Sequence, residues 1–273
     1  MKYNLAFKYR IYPNKEQELL INKTFGCVRF VYNTILYTAN KFYEETGKNK
    51  IITPASLKSE NQFLKEVDSL ALSNAQLNVK RSFTNFFQKR AKFPRFKSKK
   101  NNVKSYTTNC VNNSIRIEEN KYLVLPKLKK VKLKYHREIP KDYKIKSVTL
   151  TNSNGNYYVS VLTEFEKEIQ KIPSNDKVIG LDFSMSELFV SSENQRADYP
   201  RYFRMLEKKL KKLQKSLSRK VKFSKNWYKQ KAKISKLHEY IKNCRRDFLH
   251  KLSKKLSETY NAVVVEDLNM KGM

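Results

Sequence analysis

Lys177-Val178-Ile179-Gly180-Leu181-Asp182-Phe183-Ser184 is a short apolar run ending in a carboxylate, and Asn261-Ala262-Val263-Val264-Val265-Glu266-Asp267-Leu268-Asn269 repeats the pattern. A continuous apolar run between polar flanks suits a strand buried on both faces, as in the middle of a mixed or parallel sheet. If the two strands are parallel neighbours, Asp182 and Glu266 emerge at the same carboxyl edge, where α/β sheets place their ligands. A lone ionised acid there resists desolvation unless it is paired or metal-bound. Two of them suggest divalent ions gripping a nucleic-acid phosphate. The spacing fits a pair of solvated strand ends as well, so the pattern alone leaves both readings open.

Charge narrows the choice. Lys and Arg number 58 against 25 Asp and Glu, a formal net charge of +33. No core needs that excess, and it raises self-repulsion in the compact state. A polyanionic partner explains it most simply, because the cations interleave with Tyr and Phe rather than with acids. A membrane surface is the other candidate, but no apolar run approaches the roughly 20 residues of a spanning helix. The first twelve residues show no signal-peptide pattern either. A cytoplasmic, nucleoid-associated bacterial protein is the expectation. Cys27, Cys110 and Cys244 form neither a disulfide framework nor a CxxC zinc half-site. His136, His238 and His250 fall in no ligand-spaced pair.

The order of elements can be read along the chain. Residues 3–12 alternate as a strand stopped by Pro13, and Asn14 with Gln17 three residues later resembles a helix start. Residues 16–45 carry apolar positions of a helix, with Gly47 just beyond. Thr53-Pro54 opens a second helix, and residues 73–90 read as a third. A basic stretch follows: Lys89, Arg90, then Phe93-Pro94-Arg95-Phe96-Lys97-Ser98-Lys99-Lys100. An extended loop with aromatics between cations suits a nucleic-acid backbone, although a solvated linker has the same composition. From Ser105 the period becomes two. Strands are expected at 114–118, 122–125, 131–135, 145–150 and 157–163, with Asn154-Gly155 as a hairpin turn. These suggest a small barrel, joined by the first strand and interrupted by the helices.

Residues 167–176 read as a linker. Past Asp182, shorter strands are expected at 187–191 and 196–201. Phe203, Leu206, Leu210, Leu213 and Leu217 then repeat at 3-4-3-4 spacing, and a second helix carries Trp227, Ile234, Leu237, Ile241, Cys244 and Phe248. Together they form a helical hairpin. Its outward face holds a basic ridge that includes Lys211, Lys212, Lys215, Arg219 and Lys220, with few acids nearby, and is read as a backbone-tracking surface.

At this point the residues resemble a known family. The order of elements, Gly180-Leu181-Asp182, Arg246-Asp247-Phe248-Leu249-His250-Lys251-Leu252-Ser253 and Val265-Glu266-Asp267-Leu268-Asn269-Met270-Lys271-Gly272-Met273 are similar to the TnpB (OrfB) proteins of insertion sequences. Weaker likeness continues through Gly26-Cys27-Val28-Arg29-Phe30-Val31-Tyr32-Asn33 and Phe93-Pro94-Arg95-Phe96-Lys97. The resemblance implies an RNA-guided DNA endonuclease related to type V CRISPR effectors. A guide RNA from the transposon end would pair with target double-stranded DNA beside a short motif read by the protein. It also implies an α+β multi-unit fold, with a helical recognition insertion in a small wedge β-barrel. An RNase H-like (RuvC) α/β domain with a long helical hairpin follows. The boundaries expected are 1–13 for the first barrel strand, 14–104 for the recognition region, 105–166 for the barrel and 176–273 for the nuclease domain. Carried over by position, Asp182 is the first catalytic, metal-binding carboxylate and Glu266 the second, with Mg²⁺ or Mn²⁺ as cofactor. Asp267 faces the other side of its strand and is read as structural.

The departures matter. Family members continue with a CxxC…CxxC zinc ribbon and a third catalytic Asp, whereas this sequence holds no CxxC and stops at Met273. The nuclease domain is therefore expected to be incomplete, without a zinc site, binding nucleic acid but deficient in cleavage. The alternative is a nuclease-deficient, RNA-guided DNA-binding repressor of transcription derived from the same family.

Overall fold

A computed structural model describes residues 1–100, 103–168, 177–184 and 186–268. The chain divides into two compact units, Met1–Glu168 and Ile169–Met273. Most of the expected linker (169–176) and the end of the last motif (269–273) lie outside the described residues.

In the first unit, strand β1 (Lys2–Tyr12) buries Phe7, Tyr9 and Ile11 on alternate positions, as a half-buried strand must. Helix α1 (Lys15–Thr46) starts at Asn14, whose side chain accepts from the Gln17 amide while Gln17 Oε1 accepts from the Asn14 amide. This reciprocal cap satisfies two otherwise orphaned donors. Gln17 also donates to the Leu128 and Lys130 carbonyls, tying the helix start to the sheet. Asn14→Ala should therefore cost about 1 kcal/mol, and Gln17→Ala more. Urea midpoints of the two variants would check that order. The helix ends at Gly47, whose φ of 66° is the left-handed conformation glycine adopts freely.

Helix α2 (Pro54–Glu60), a 3-10 turn (Gln62–Lys65) and α3 (Ser69–Phe87) follow. Ile21, Val28, Val31, Ile35 and Leu36 of α1 and Ala71, Leu72, Ala75 and Val79 of α3 all join the core. Asp68 caps α3 through the Leu70 amide and also accepts from the Thr108 hydroxyl, which satisfies an acid that is almost fully buried.

Six further strands are β2 (Val103–Asn109), β3 (Arg116–Glu118), β4 (Tyr122–Leu125), β5 (Lys129–Lys134), β6 (Lys144–Ser153) and β7 (Asn156–Glu166). They join β1 in a curled antiparallel sheet of order β2-β6-β7-β1-β5-β4-β3. Asn154 and Gly155 turn between β6 and β7 with φ of 51° and 82°, as a tight two-residue hairpin requires. Strand β2 was not expected from pattern. Its Val-Lys-Ser-Tyr-Thr-Thr-Asn sequence has little apolar contrast, and pairing with β6 along its whole length defines it.

The second unit contains a three-stranded sheet of order β10-β8-β9, from β8 (Val178–Phe183), β9 (Phe189–Ser191) and β10 (Ala262–Val265). Between β9 and β10 lie α4 (Tyr202–Ser218) and α5 (Lys225–Thr259). Leu210, Leu237 and Ile241 are buried in their seam, with Tyr202, Leu206, Leu213 and Ile234 around them. Phe203, expected in that seam, is 40% exposed, and Tyr202 takes its place.

Two further expectations are corrected here. The strand expected at 196–201 reduces to one bridge, Val190 to Arg196. Pro200 has no amide to donate, and its carbonyl accepts from Tyr202 to start the helix instead. Nor are the two apolar runs buried on both faces. Ile179 is buried, but Val178, Val264 and Val265 are more than half exposed. The cause is packing: β10 is an edge strand, and α4 and α5 pack chiefly on each other rather than over the sheet.

Candidate active site and nucleic-acid surfaces

Strands β8 and β10 are parallel, with Val263 beside Ile179, Val264 beside Gly180 and Val265 beside Leu181. One residue further, Glu266 falls opposite Asp182. Adjacent strands lie about 4.8 Å apart, and residues paired across them point to the same face. Strand β9 pairs antiparallel with β8 on its other side, setting Val190 against Asp182. Gly180, Asp182, Val190, Ser192, Val264 and Glu266 line a shallow depression of about 510 Å³. A Cβ added at Gly180 would meet the Ser192 Cβ at 3.6 Å, an ordinary van der Waals contact, so an alanine fits there. A second depression of about 330 Å³ includes Leu181, Phe183, Phe189, Val265 and Asp267 as well as both acids. Alternation places Asp267 on the face opposite Glu266.

Both candidate carboxylates are exposed. Among the described residues, no group of three or more His, Cys, Asp or Glu could hold a metal. The hard donors that share this depression are the carboxylates of Asp182 and Glu266. Mg²⁺ is commonly held by one or two carboxylates together with substrate phosphates and water, and two carboxylates are the donor type such an ion takes.

The expected basic loop proves to be a strap fixed at several points. After α3, Lys89 turns the chain with a φ of 56°, and the amides of Arg90 and Ala91 both donate to the Asn85 carbonyl. Phe93 packs edge-on against Phe83 and Phe86, with ring centroids 5.9 and 5.2 Å apart. Asn33 then grips the Lys97 backbone from both sides, accepting from its amide at 2.8 Å and donating to its carbonyl at 3.0 Å. The Lys97 ammonium lies 4.1 Å from the Tyr32 ring centroid, and burial pushes its pKa below the usual lysine range. The Lys97 residue is exposed like Lys89, Arg90, Arg95, Lys99 and Lys100, but its ammonium is engaged over the Tyr32 ring and theirs are free of that contact. The sequence reading missed Asn33 and Tyr32 as anchors. Their signal was only a polar and an aromatic residue side by side on a half-buried helix face.

On α4, Lys211 pairs with Glu207 at 2.7 Å, holding that carboxyl below the usual range. Lys212 and Lys215 are exposed, Arg219 caps the helix C-terminus and Lys220 is half-buried. No helix among the described residues is long and apolar enough to cross a membrane.

Comparison with known proteins fits this geometry. The OrfB_IS605 family model, described as "Probable transposase", matches residues 159–273, the part that carries both carboxylates. A protein of Escherichia coli (strain K12), named "Putative RNA-guided DNA endonuclease InsQ", is 36% identical over 284 residues. That alignment takes in 100% of this chain and 68% of the relative. The chain belongs to the TnpB/OrfB family. A Streptomyces pristinaespiralis member, "Putative RNA-guided DNA endonuclease", is 33% identical over 277 residues, covering 98% of this chain and 68% of that relative. A second family model, "Helix-turn-helix domain", matches residues 1–48, which here form strand β1 and the single helix α1. Among solved structures, a chain in "Cryo-EM structure of the Cas12f1-sgRNA-target DNA complex" aligns at a TM-score of 0.55. All of this chain and 82% of that one are covered, and at 10% identity the likeness is one of fold.

Proposed function

We propose that this chain acts in RNA-guided, metal-dependent hydrolysis of DNA. A guide RNA from the transposon end and a target double-stranded DNA are its partners, and Mg²⁺ or Mn²⁺ its cofactor. The reading is carried by the parallel register of β8 and β10, whose continuation by one residue brings Glu266 opposite Asp182, and by the depression that both acids line. In this reading β1 and the sheet at 105–166 form the wedge, 14–104 the recognition region, and the unit holding β8 and β10 the RuvC-like nuclease domain.

A divalent ion held there would neutralise phosphate charge and lower the pKa of bound water. The protein's own part is positional. Asp182 and Glu266 present oxygen ligands from the ends of two parallel strands, and exposed cations track the backbone. Two neighbouring acids on an otherwise basic protein favour hydrolysis over the repressor reading, which needs neither.

The test is guided binding. The chain is co-expressed with RNA from the end of its own transposon, and the purified complex is offered duplexes that match or mismatch that RNA. Retention of matched duplex alone is the expected result. Equal retention of both, or a complex without RNA, would refute the guided part of the reading, and Mn²⁺ binding that survives Asp182→Asn and Glu266→Gln would refute the hydrolytic part.

A further inference from the structure

A separate cavity lies in the first unit, between α1, α3 and the basic strap. It encloses about 490 Å³, within the range of small-ligand pockets, and is walled by Tyr43, Phe83, Phe86, Phe87 and Phe93. Tyr43, Phe87 and Phe93 are 56%, 66% and 48% exposed. So much apolar ring surface gathered in one place marks a binding surface. Its surroundings are polar and positive. Lys50 and Lys80 line it, and Asn40 and Asn49 add amide groups. The wall formed by Phe93 is held in place, because Asn33 fixes the strap at Lys97.

Rings beside cations are the combination that binds single-stranded nucleic acid, with bases stacking on rings and phosphates meeting cations. Asn side chains carry both a donor and an acceptor, matching a ribose 2′-hydroxyl that DNA lacks. We propose that this cavity takes an unstacked nucleobase of a bound RNA strand, with its flanking phosphates at Lys50 and Lys80. The inference rests on the RNA-guided reading and adds to it a subsite on the recognition region.

The full chain is titrated with a single-stranded oligouridine of about 15 nucleotides carrying one 5-iodouridine, and with DNA of the same length. Irradiation should cross-link the RNA to Tyr43, Phe87 or Phe93. Phe87→Ala and Phe93→Ala should each weaken RNA binding about tenfold, a typical loss for one stacked base. Their salt dependence should not change, because a ring releases no counterions. Lys80→Gln should instead lower the slope of log K against log salt by about 0.7. Tyr37 is 58% exposed on α1 but lies outside both the cavity lining and the strap, so Tyr37→Ala should leave affinity unchanged. Thermal melts of all variants separate lost binding from lost folding, and Phe87→Leu, which keeps an apolar side chain but removes the ring, repeats the test without a cavity.

Cross-links elsewhere, unaltered affinity of the Phe87 variants, DNA bound as tightly as RNA, or variants that change only self-association would each overturn the proposal. If the unaltered chain binds no RNA, the RNA-guided reading falls with it. If RNA binds and the ring variants have no effect, only the subsite is lost.

Discussion

Asp182→Asn and Glu266→Gln should each remove Mn²⁺ binding from the chain, while leaving RNA affinity where it was. Asp182 is the penultimate residue of β8, Glu266 follows directly on the parallel strand β10, and both are exposed. With either one neutralised, a single monodentate or bidentate carboxylate cannot compete with water for a hard divalent ion. Paramagnetic resonance of added Mn²⁺ reads the loss directly. In a chimera carrying the remaining third of the Escherichia coli relative, guided cleavage should fall by about 10²–10³, the usual result of removing one transition-state stabiliser. A third readout needs no activity. Like charges set side by side across strands repel, so in metal-free buffer each substitution should slightly raise the melting temperature. Unchanged Mn²⁺ binding in both variants would remove the catalytic assignment.

Salt should act on this protein even more strongly. Each phosphate neutralised releases counterions, so log K falls with log salt by about 0.7 per contact on a single strand. With a net charge of +33 there is no shortage of contacts. If between six and ten are made on a single strand, affinity should drop by roughly 300-fold to 16,000-fold between about 50 and 200 mM salt. The exposed strap cations carry part of that slope. Replacing Arg95, Lys99 and Lys100 together by Gln should lower it by about 2, and weaken binding evenly across sequences. Lys97→Gln should change the slope less, because that ammonium already rests over the Tyr32 ring. Titrations at several salt concentrations measure both effects. A slope unaffected by the triple substitution would mean the strap does not touch the backbone.

The sequence by itself determined what depends on near neighbours. The Asn14–Gln17 cap, the αL residue at Gly47 and the Asn154-Gly155 hairpin were readable because each involves residues three or four apart at most. The parallel pairing of β8 and β10 was also foreseeable, since two matched apolar runs have few other ways to pair. Their exposure was not, because whether a strand face is covered depends on helices that here prefer each other's company. Strand β2 escaped for a related reason: its polar residues acquire strand geometry only through hydrogen bonds to β6, roughly forty residues away. The Asn33–Lys97 clamp links residues 64 apart, and the aromatic cavity gathers rings from two helices and the strap between α3 and β2. Contacts like these join partners distant in sequence, and nothing in either local segment encodes the other. Only the tertiary structure could turn a run of cations into a fixed strap with a cavity behind it.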